Sequence, residues 1–247
     1  MKSNNVLGVQ SWCFRNFKDN NVMLPMLKET GISSTELCVV HADFKNVSMH
    51  KPVLELYKKL GVNIVSTGVN VISAVEAEAR PNFEFLKAGG VKHMSVDFKL
   101  DNLDVQLKVA EKLSEEYNVT LGIHNHGGRH WLGNMQALKW VFGKCSKRIG
   151  LSLDTAWAMH SQENVTKMIE EFKDRLYLLH LKDFTFDRTA KPEDVIFGTG
   201  AIDLKALKKV LEDTGFKGSY IIEYEGQPEN PVPVLIQCVK NIKEALY

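Results

Sequence analysis

The run Arg175 to Phe184, RLYLLHLKDF, decides the fold. After the opening arginine it is apolar as far as Leu179, and then His180, Lys182 and Asp183 arrive together. A segment so short and so continuously apolar reads as a β-strand buried on both faces, the pattern of a parallel sheet. The same construction recurs in LGIHNHG (Leu121 to Gly127), IGLSLDTAW (Ile149 to Trp157) and SYIIEYEG (Ser219 to Gly226), each tipped with His, Asp or Glu.

Strand and helix patterns alternate on either side of that run. The earlier strand candidates are Val6 to Ser11, Ser33 to Val40, Val62 to Thr67, Val91 to Val96 and Val119 to His124; the later ones are Ile149 to Asp154, Leu176 to Leu181 and Ser219 to Glu223. Helical spacing falls between them. Asn21 to Thr30 ends at Gly31, and Met49 to Leu60 has Ser48 as its expected N-cap and Gly61 behind it. A short helix is expected over Asn82 to Ala88, and a strong one carries Leu103, Leu107, Ala110, Leu113 and Tyr117 on one face. Met135 to Lys144 is capped by Asn134, Glu163 to Phe172 follows, and Asp203 caps Leu204 to Thr214, which Gly215 closes. Val234 to Leu246 is the last helix. Two long loops stand out, GGRHWLG after the fifth strand and Thr185 to Ala201 after the seventh, and loops of that length inside a compact domain are usually functional.

Eight strands roughly 30 residues apart, separated by helices, predict an α/β fold, a (β/α)8 TIM barrel, as a single domain over residues 1–247. A doubly wound open sheet is the competitor, but it places a glycine-rich phosphate turn after its first strand and VQSWCFRN has none. With 44% apolar and 25% charged residues and a formal charge of +1, the chain is ordinary globular material without a basic run, which argues against a nucleic-acid partner. The four cysteines, Cys13, Cys38, Cys145 and Cys238, form no CxxC pair and read as buried thiols in a reducing compartment. MKSNNVLGVQ lacks a signal-like apolar region and no run approaches the roughly 20 residues of a membrane span, so a cytoplasmic protein without membrane contact is expected. A periplasmic location is the alternative if a leader has been removed. Whether the chain forms a homo-oligomer stays open.

In such a barrel the C-terminal strand ends meet at one mouth, so the ionisable tips become neighbours. They are Glu36 on strand two, His124 and His126 on five, Asp154 on six, His180 and Lys182 on seven, and Glu223 and Glu225 on eight. Imidazoles and carboxylates together suit a first-row divalent ion. Each residue also has a plainer reading: a strand-end His as a structural hydrogen-bonding group, Asp154 as the cap of the next turn, Lys182 paired with Asp183, Glu36 in a core ion pair, and Gly198 and Gly200 as shapers of the backbone. Trp12, Trp131 and Trp157 fit packing, and at a barrel mouth their faces also suit the C–H faces of a sugar.

The order HNHG, LDTAW, HLKD, FGTGAIDLKAL and IIEYE resembles the xylose-isomerase-like TIM-barrel superfamily, the sugar phosphate isomerases and epimerases, over nearly the whole chain. That superfamily holds sugar isomerases, ketose 3-epimerases, inosose dehydratases and the endonuclease IV type of repair enzyme. The resemblance implies metal ligands at Asp154, His180 and Glu223, with His124 where many members have a glutamate, and Lys182 as a cation facing substrate. Two positions depart from the ketose 3-epimerases: His124 replaces the first of two opposed glutamates, and Trp157 stands where they carry a histidine. The expectation is a divalent-metal-dependent (Mn, Co, Zn, Fe or Mg) isomerase or epimerase of a keto- or aldo-sugar working through an enediolate. Glu223, His126 and Lys182 would be catalytic, and Glu36, Trp12, Trp157 and Glu225 would bind substrate. A dehydratase or lyase of the inosose-dehydratase type is the alternative, as is a sugar-binding barrel without catalysis.

Overall fold

The computed structural model describes residues 5–247; the first four residues of MKSNNVLGVQ lie outside that range. The strands in chain order are β1 Leu7–Gln10, β2 Ser34–Leu37, β3 Asn63–Val71, β4 His93–Asp97, β5 Thr120–His124, β6 Ile149–Asp154, β7 Leu176–Leu181, β8 Asp183–Phe186, β9 Pro192–Val195 and β10 Ser219–Ile222. Eight of them close into a parallel barrel in the order β1, β10, β7, β6, β5, β4, β3, β2, and β8 with β9 makes a separate antiparallel hairpin. The helices are α1 Asn20–Glu29, α2 His50–Lys59, α3 Glu76–Gly89, α4 Leu103–Tyr117, α5 Met135–Phe142, α6 Thr155–His160, α7 Val165–Phe172, α8 Leu204–Thr214 and α9 Val232–Leu246. The predicted (β/α)8 barrel is what forms.

Each barrel strand is buried on both faces, which is why the runs look continuously apolar: all six residues of β6 are buried. Alternation then sorts the side chains. Ser152 and Asp154 share one face of β6, Gly122 and His124 share one of β5, and Ser95 and Asp97 one of β4. In register, His124 pairs with Ser152 and Asp154 with His180, so the strand tips rise as a staircase rather than a level ring.

Four expectations are corrected. The third helix begins at Glu76, well before Asn82, because Pro81 inside it reads in sequence as a stop. Ser48 does not cap α2: its hydroxyl donates to Asn46 Oδ1 at 2.7 Å within a 3-10 turn over Val47–Met49, and α2 starts at His50 without a side-chain cap. The loop after the seventh strand contains the β8 and β9 hairpin, whose strands are too short to show a period. Cys145 is half-buried, whereas Cys13, Cys38 and Cys238 are buried. Among the described residues no helix is long and apolar enough to cross a membrane.

Candidate metal centre at the barrel mouth

His124, Asp154, His180 and Glu223 come from four different strand ends and bring one ligand atom each to within 4.8 Å of one another. His124 Nε2 lies 2.9 Å from His180 Nδ1, 3.8 Å from Asp154 Oδ2 and 3.9 Å from Glu223 Oε2. His180 Nδ1 lies 3.0 Å from Glu223 Oε2 and 4.0 Å from Asp154 Oδ2. Asp154 divides its two oxygens: Oδ1 accepts the backbone N–H of Trp157 at 2.8 Å and so caps α6, while Oδ2 is buried with no hydrogen-bond partner. An orphaned carboxylate oxygen is costly in a protein interior, and a cation among two imidazoles and two carboxylates would satisfy it. The residues present therefore fit a first-row divalent ion.

The strand backbone behind the cluster is fixed by Asn125, whose side chain donates to the carbonyl of Asp154 at 3.1 Å and accepts its N–H at 2.8 Å. Thr155 performs the matching task for the seventh strand, donating to Lys182 O at 2.5 Å and accepting Lys182 N–H at 3.1 Å. Neither residue stands out in sequence, where both look like ordinary polar neighbours of a conspicuous ligand.

Electrostatics in the cluster follow from burial and neighbours. Burial pushes His180 down, but the carboxylates of Glu36 and Glu223 on either side outweigh it and hold the ring up at about 10. Burial raises Asp154 well above the usual carboxylate range against the pull of Lys182. Burial would do the same to Glu223, yet Lys182 and His180 overcome it and keep Glu223 ionised. Since His180 must give up its Nδ1 proton to coordinate, ion binding is expected to release at least one proton per ion and to tighten as pH rises from 6 to 9. Calorimetric titration with Co²⁺ in two buffers of different ionisation enthalpy reads the proton count, and a count of zero would remove His180 from the ligand set.

Lys182 does not pair with Asp183. Its Nζ contacts Glu225 Oε1 and lies 3.3 Å from Asp194 Oδ2, over the rings of Trp157 and Phe184 at 5.3 and 5.7 Å, and its side chain is 1% exposed. Glu225 also accepts Trp12 Nε1 at 2.8 Å, so Trp12, Glu225, Lys182 and Asp194 form one wall of the mouth. Trp157 packs edge-on to Phe184 at 4.9 Å on the same side. Asp183 turns away and accepts the backbone N–H groups of Gly198, Gly200 and Ile202 at 3.0, 2.8 and 3.1 Å. A Cβ at Gly200 would stand 2.5 Å from Asp183 Oδ1, so this loop needs glycine there.

His126 lies above the cluster, its ring 4.6 Å from that of His124 and 4.9 Å from that of His130. Its Nδ1 is buried without a partner, which leaves it free to handle a proton. Asp97 and His130 gather beside it, with His130 Nε2 3.4 Å from Asp97 Oδ2. Leu132 N–H donates to His130 Nδ1 at 3.3 Å, which leaves Nε2 as the nitrogen that faces Asp97.

Glu36 is not at the open mouth. It is fully buried beneath His180, whose Nε2 lies 3.0 Å from Glu36 Oε1, so the expected substrate contact is replaced by a contact to a candidate ligand. A strand-two tip reads alike in sequence whether it points up into the mouth or inward under it.

The family model described as "Xylose isomerase-like TIM barrel" matches residues 100–242. Inosose dehydratase of Clostridium beijerinckii is 25% identical over 149 residues, covering 54% of this chain and 50% of that protein. The chain spans about half the length of that relative and of several other inosose dehydratases it matches. Among solved structures, the IOLI protein with a bound zinc atom superposes with a TM-score of 0.79 at 14% identity, covering 98% of this chain and 99% of that one. An L-ribulose 3-epimerase superposes with a TM-score of 0.73 at 16% identity, covering 100% and 95%. Closed parallel barrel, mouth cluster and family match converge: the chain belongs to the xylose isomerase-like TIM barrel family.

Proposed function

We propose that this protein is a divalent-metal-dependent enzyme that moves a proton next to the carbonyl of a sugar or polyol derivative, as an isomerase or epimerase. The observation that carries the reading is the buried cluster of His124, Asp154, His180 and Glu223 with its orphaned Asp154 oxygen. The zinc atom in the IOLI structure and the sugar chemistry named for its neighbours support it. An ion held there would act as a Lewis acid toward a carbonyl and an adjacent hydroxyl, acidifying the intervening C–H and stabilising enediolate charge.

The chain's own groups do the rest. Of the four ligand candidates, Glu223 has 9% of its side chain exposed while the others have 2% or less, so Glu223 is the one that meets substrate. Kept ionised by Lys182, it is placed to take a carbon-bound proton. His126, across His124, holds or returns a proton at Nδ1. Trp12 and Trp157 offer apolar faces to the sugar, and Glu225 and Lys182 offer hydrogen-bonding groups beside them.

A second reading, elimination of water, is favoured by the pairing of unlike groups. One carboxylate and one imidazole suit removal of a proton and protonation of a departing hydroxyl, and the inosose dehydratase relatives carry that chemistry in their name. Incubating the metal-loaded protein with a panel of keto-sugars, aldo-sugars and inososes in D₂O tests both. Deuterium at the carbon beside the carbonyl is expected; in a product that keeps all its oxygens it marks isomerisation or epimerisation, and with loss of water it marks the dehydratase. Turnover without deuterium would indicate a hydride shift and overturn the assignment of Glu223 as base.

A further inference from the structure

The interior of a TIM barrel is normally packed with bulky apolar layers. Below the ligand cluster this barrel carries instead a line of buried polar side chains from successive strands. Glu36 on β2 accepts four donors: Gln10 Nε2 of β1 at 2.7 Å and His180 Nε2 of β7 at 3.0 Å on Oε1, and the hydroxyls of Ser66 on β3 and, at 2.9 Å, Ser95 on β4 on Oε2. Ser95 Oγ is also 2.9 Å from Ser152 Oγ on β6, and Ser152 Oγ is 3.0 Å from His93 Nε2 at the opposite end of β4. Ser95 and Ser152 reach each other across β5 because residue 122 is glycine: a Cβ there would stand 2.1 Å from Ser152 Oγ.

A hydroxyl has one proton, so the direction of this line is determined. An ionised Glu36 can only accept, so Ser95 donates to it. Ser152 then donates to Ser95 and accepts from His93 Nε2–H, leaving His93 Nδ1 as an acceptor for Thr120 Oγ1 at 3.1 Å. Burial keeps His93 neutral, with its pKa pushed down to about 4, which that arrangement requires. At the other end, an ionised Glu36 demands the proton of His180 Nε2 and leaves Nδ1 to face Glu223, Asp154 and His124. Metal-binding histidines are characteristically oriented in this way, by a carboxylate on the second ring nitrogen.

We infer that Glu36, supported by Ser95, Ser152 and His93, is a positioning element that fixes the tautomer and angle of His180, so that the far end of the barrel sets how tightly the mouth binds a divalent ion. The inference rests on the metal reading proposed above. Its test is Co²⁺ titration of metal-stripped protein, followed by visible absorbance, with thermal melts of the same samples. Glu36→Gln preserves shape but can no longer accept on both sides, and is expected to weaken Co²⁺ binding by about 10–100-fold. Should that variant fail to fold, His93 provides the second arm: His93→Leu is expected to weaken binding several-fold, whereas His93→Gln, which restores a donor to Ser152, is expected to recover most of it. Affinities equal to wild type in Glu36→Gln and His93→Leu, with only the melting temperature lowered, would overturn the positioning role. A wild-type protein that takes up no Co²⁺ would overturn the metal reading itself and the inference with it, and so is distinguishable from failure of the positioning role alone.

Discussion

An Asp154→Ala protein is expected to lose its metal: affinity should fall by more than about 100-fold, since even a partner one step removed from the ion is commonly worth roughly 10–100-fold. Turnover should fall with it. Asp154 makes this test unusually clean because its two oxygens have separate duties, Oδ1 capping α6 and Oδ2 facing the cluster. Asparagine caps helices as well as aspartate does, so Asp154→Asn should keep the cap and still lose the ion, while alanine loses both. The difference between the two metal-free variants should be about 1 kcal/mol, or roughly 2–4 °C in Tm for a chain of this size. Inductively coupled plasma analysis of chelator-free preparations reads the metal and calorimetry reads the melt. Full metal occupancy in either variant would remove Asp154 from the centre.

The next largest effect is expected at Lys182, and on stability. Burial disfavours its charge, but Glu223, Asp194, Asp154 and Glu225 together hold it firmly protonated. Breaking a buried pair from one side typically costs about 3–5 kcal/mol, because the remaining charge loses its partner. Here the Glu225 side chain is 31% exposed and water screens part of the loss, so Lys182→Met should cost about 2–3 kcal/mol, seen as roughly 5–10 °C in Tm. The hairpin of β8 and β9 should loosen too, since the contact of Asp194 with Lys182 is one of its ties to the barrel. Adding Asp194→Asn to Lys182→Met should then cost little more than Lys182→Met alone, because the two residues share one interaction. An unchanged Tm in Lys182→Met would mean that the pairing of Lys182 with its carboxylate partners contributes nothing to holding the fold.

These two residues show what a sequence can and cannot carry. Asp154 was legible because the tip of a buried apolar strand has few reasons to be charged, and four such tips in a barrel must converge. The barrel itself was legible for the same reason, since continuous apolar runs alternating with amphipathic helices fit few other folds. Lys182 was legible as important but not as to its partner: Asp194 sits on a hairpin whose strands are four residues each, too short to show a period. Glu36 was visible as an ionisable tip, yet its direction depends on a rise between strands that only the register reveals. Ser66, Ser95 and Ser152 left the faintest trace, as small polar residues inside otherwise apolar strands. A buried hydroxyl is costly without a partner, so such positions are a usable signal that a polar network crosses the barrel.

The Asp183 carboxylate, tied to three backbone N–H groups of the following loop, has a consequence for ligand binding kinetics. Ordering a free segment costs roughly 1–2 kcal/mol per residue in backbone entropy, and a loop that orders only on its ligand subtracts that from affinity. With Asp183 anchoring residues 198–202 during folding, much of that entropy is already lost before any ligand arrives. Any ligand that touches these residues then docks onto a preformed surface, and its residence time is governed by the contacts it makes rather than by the reopening of a lid.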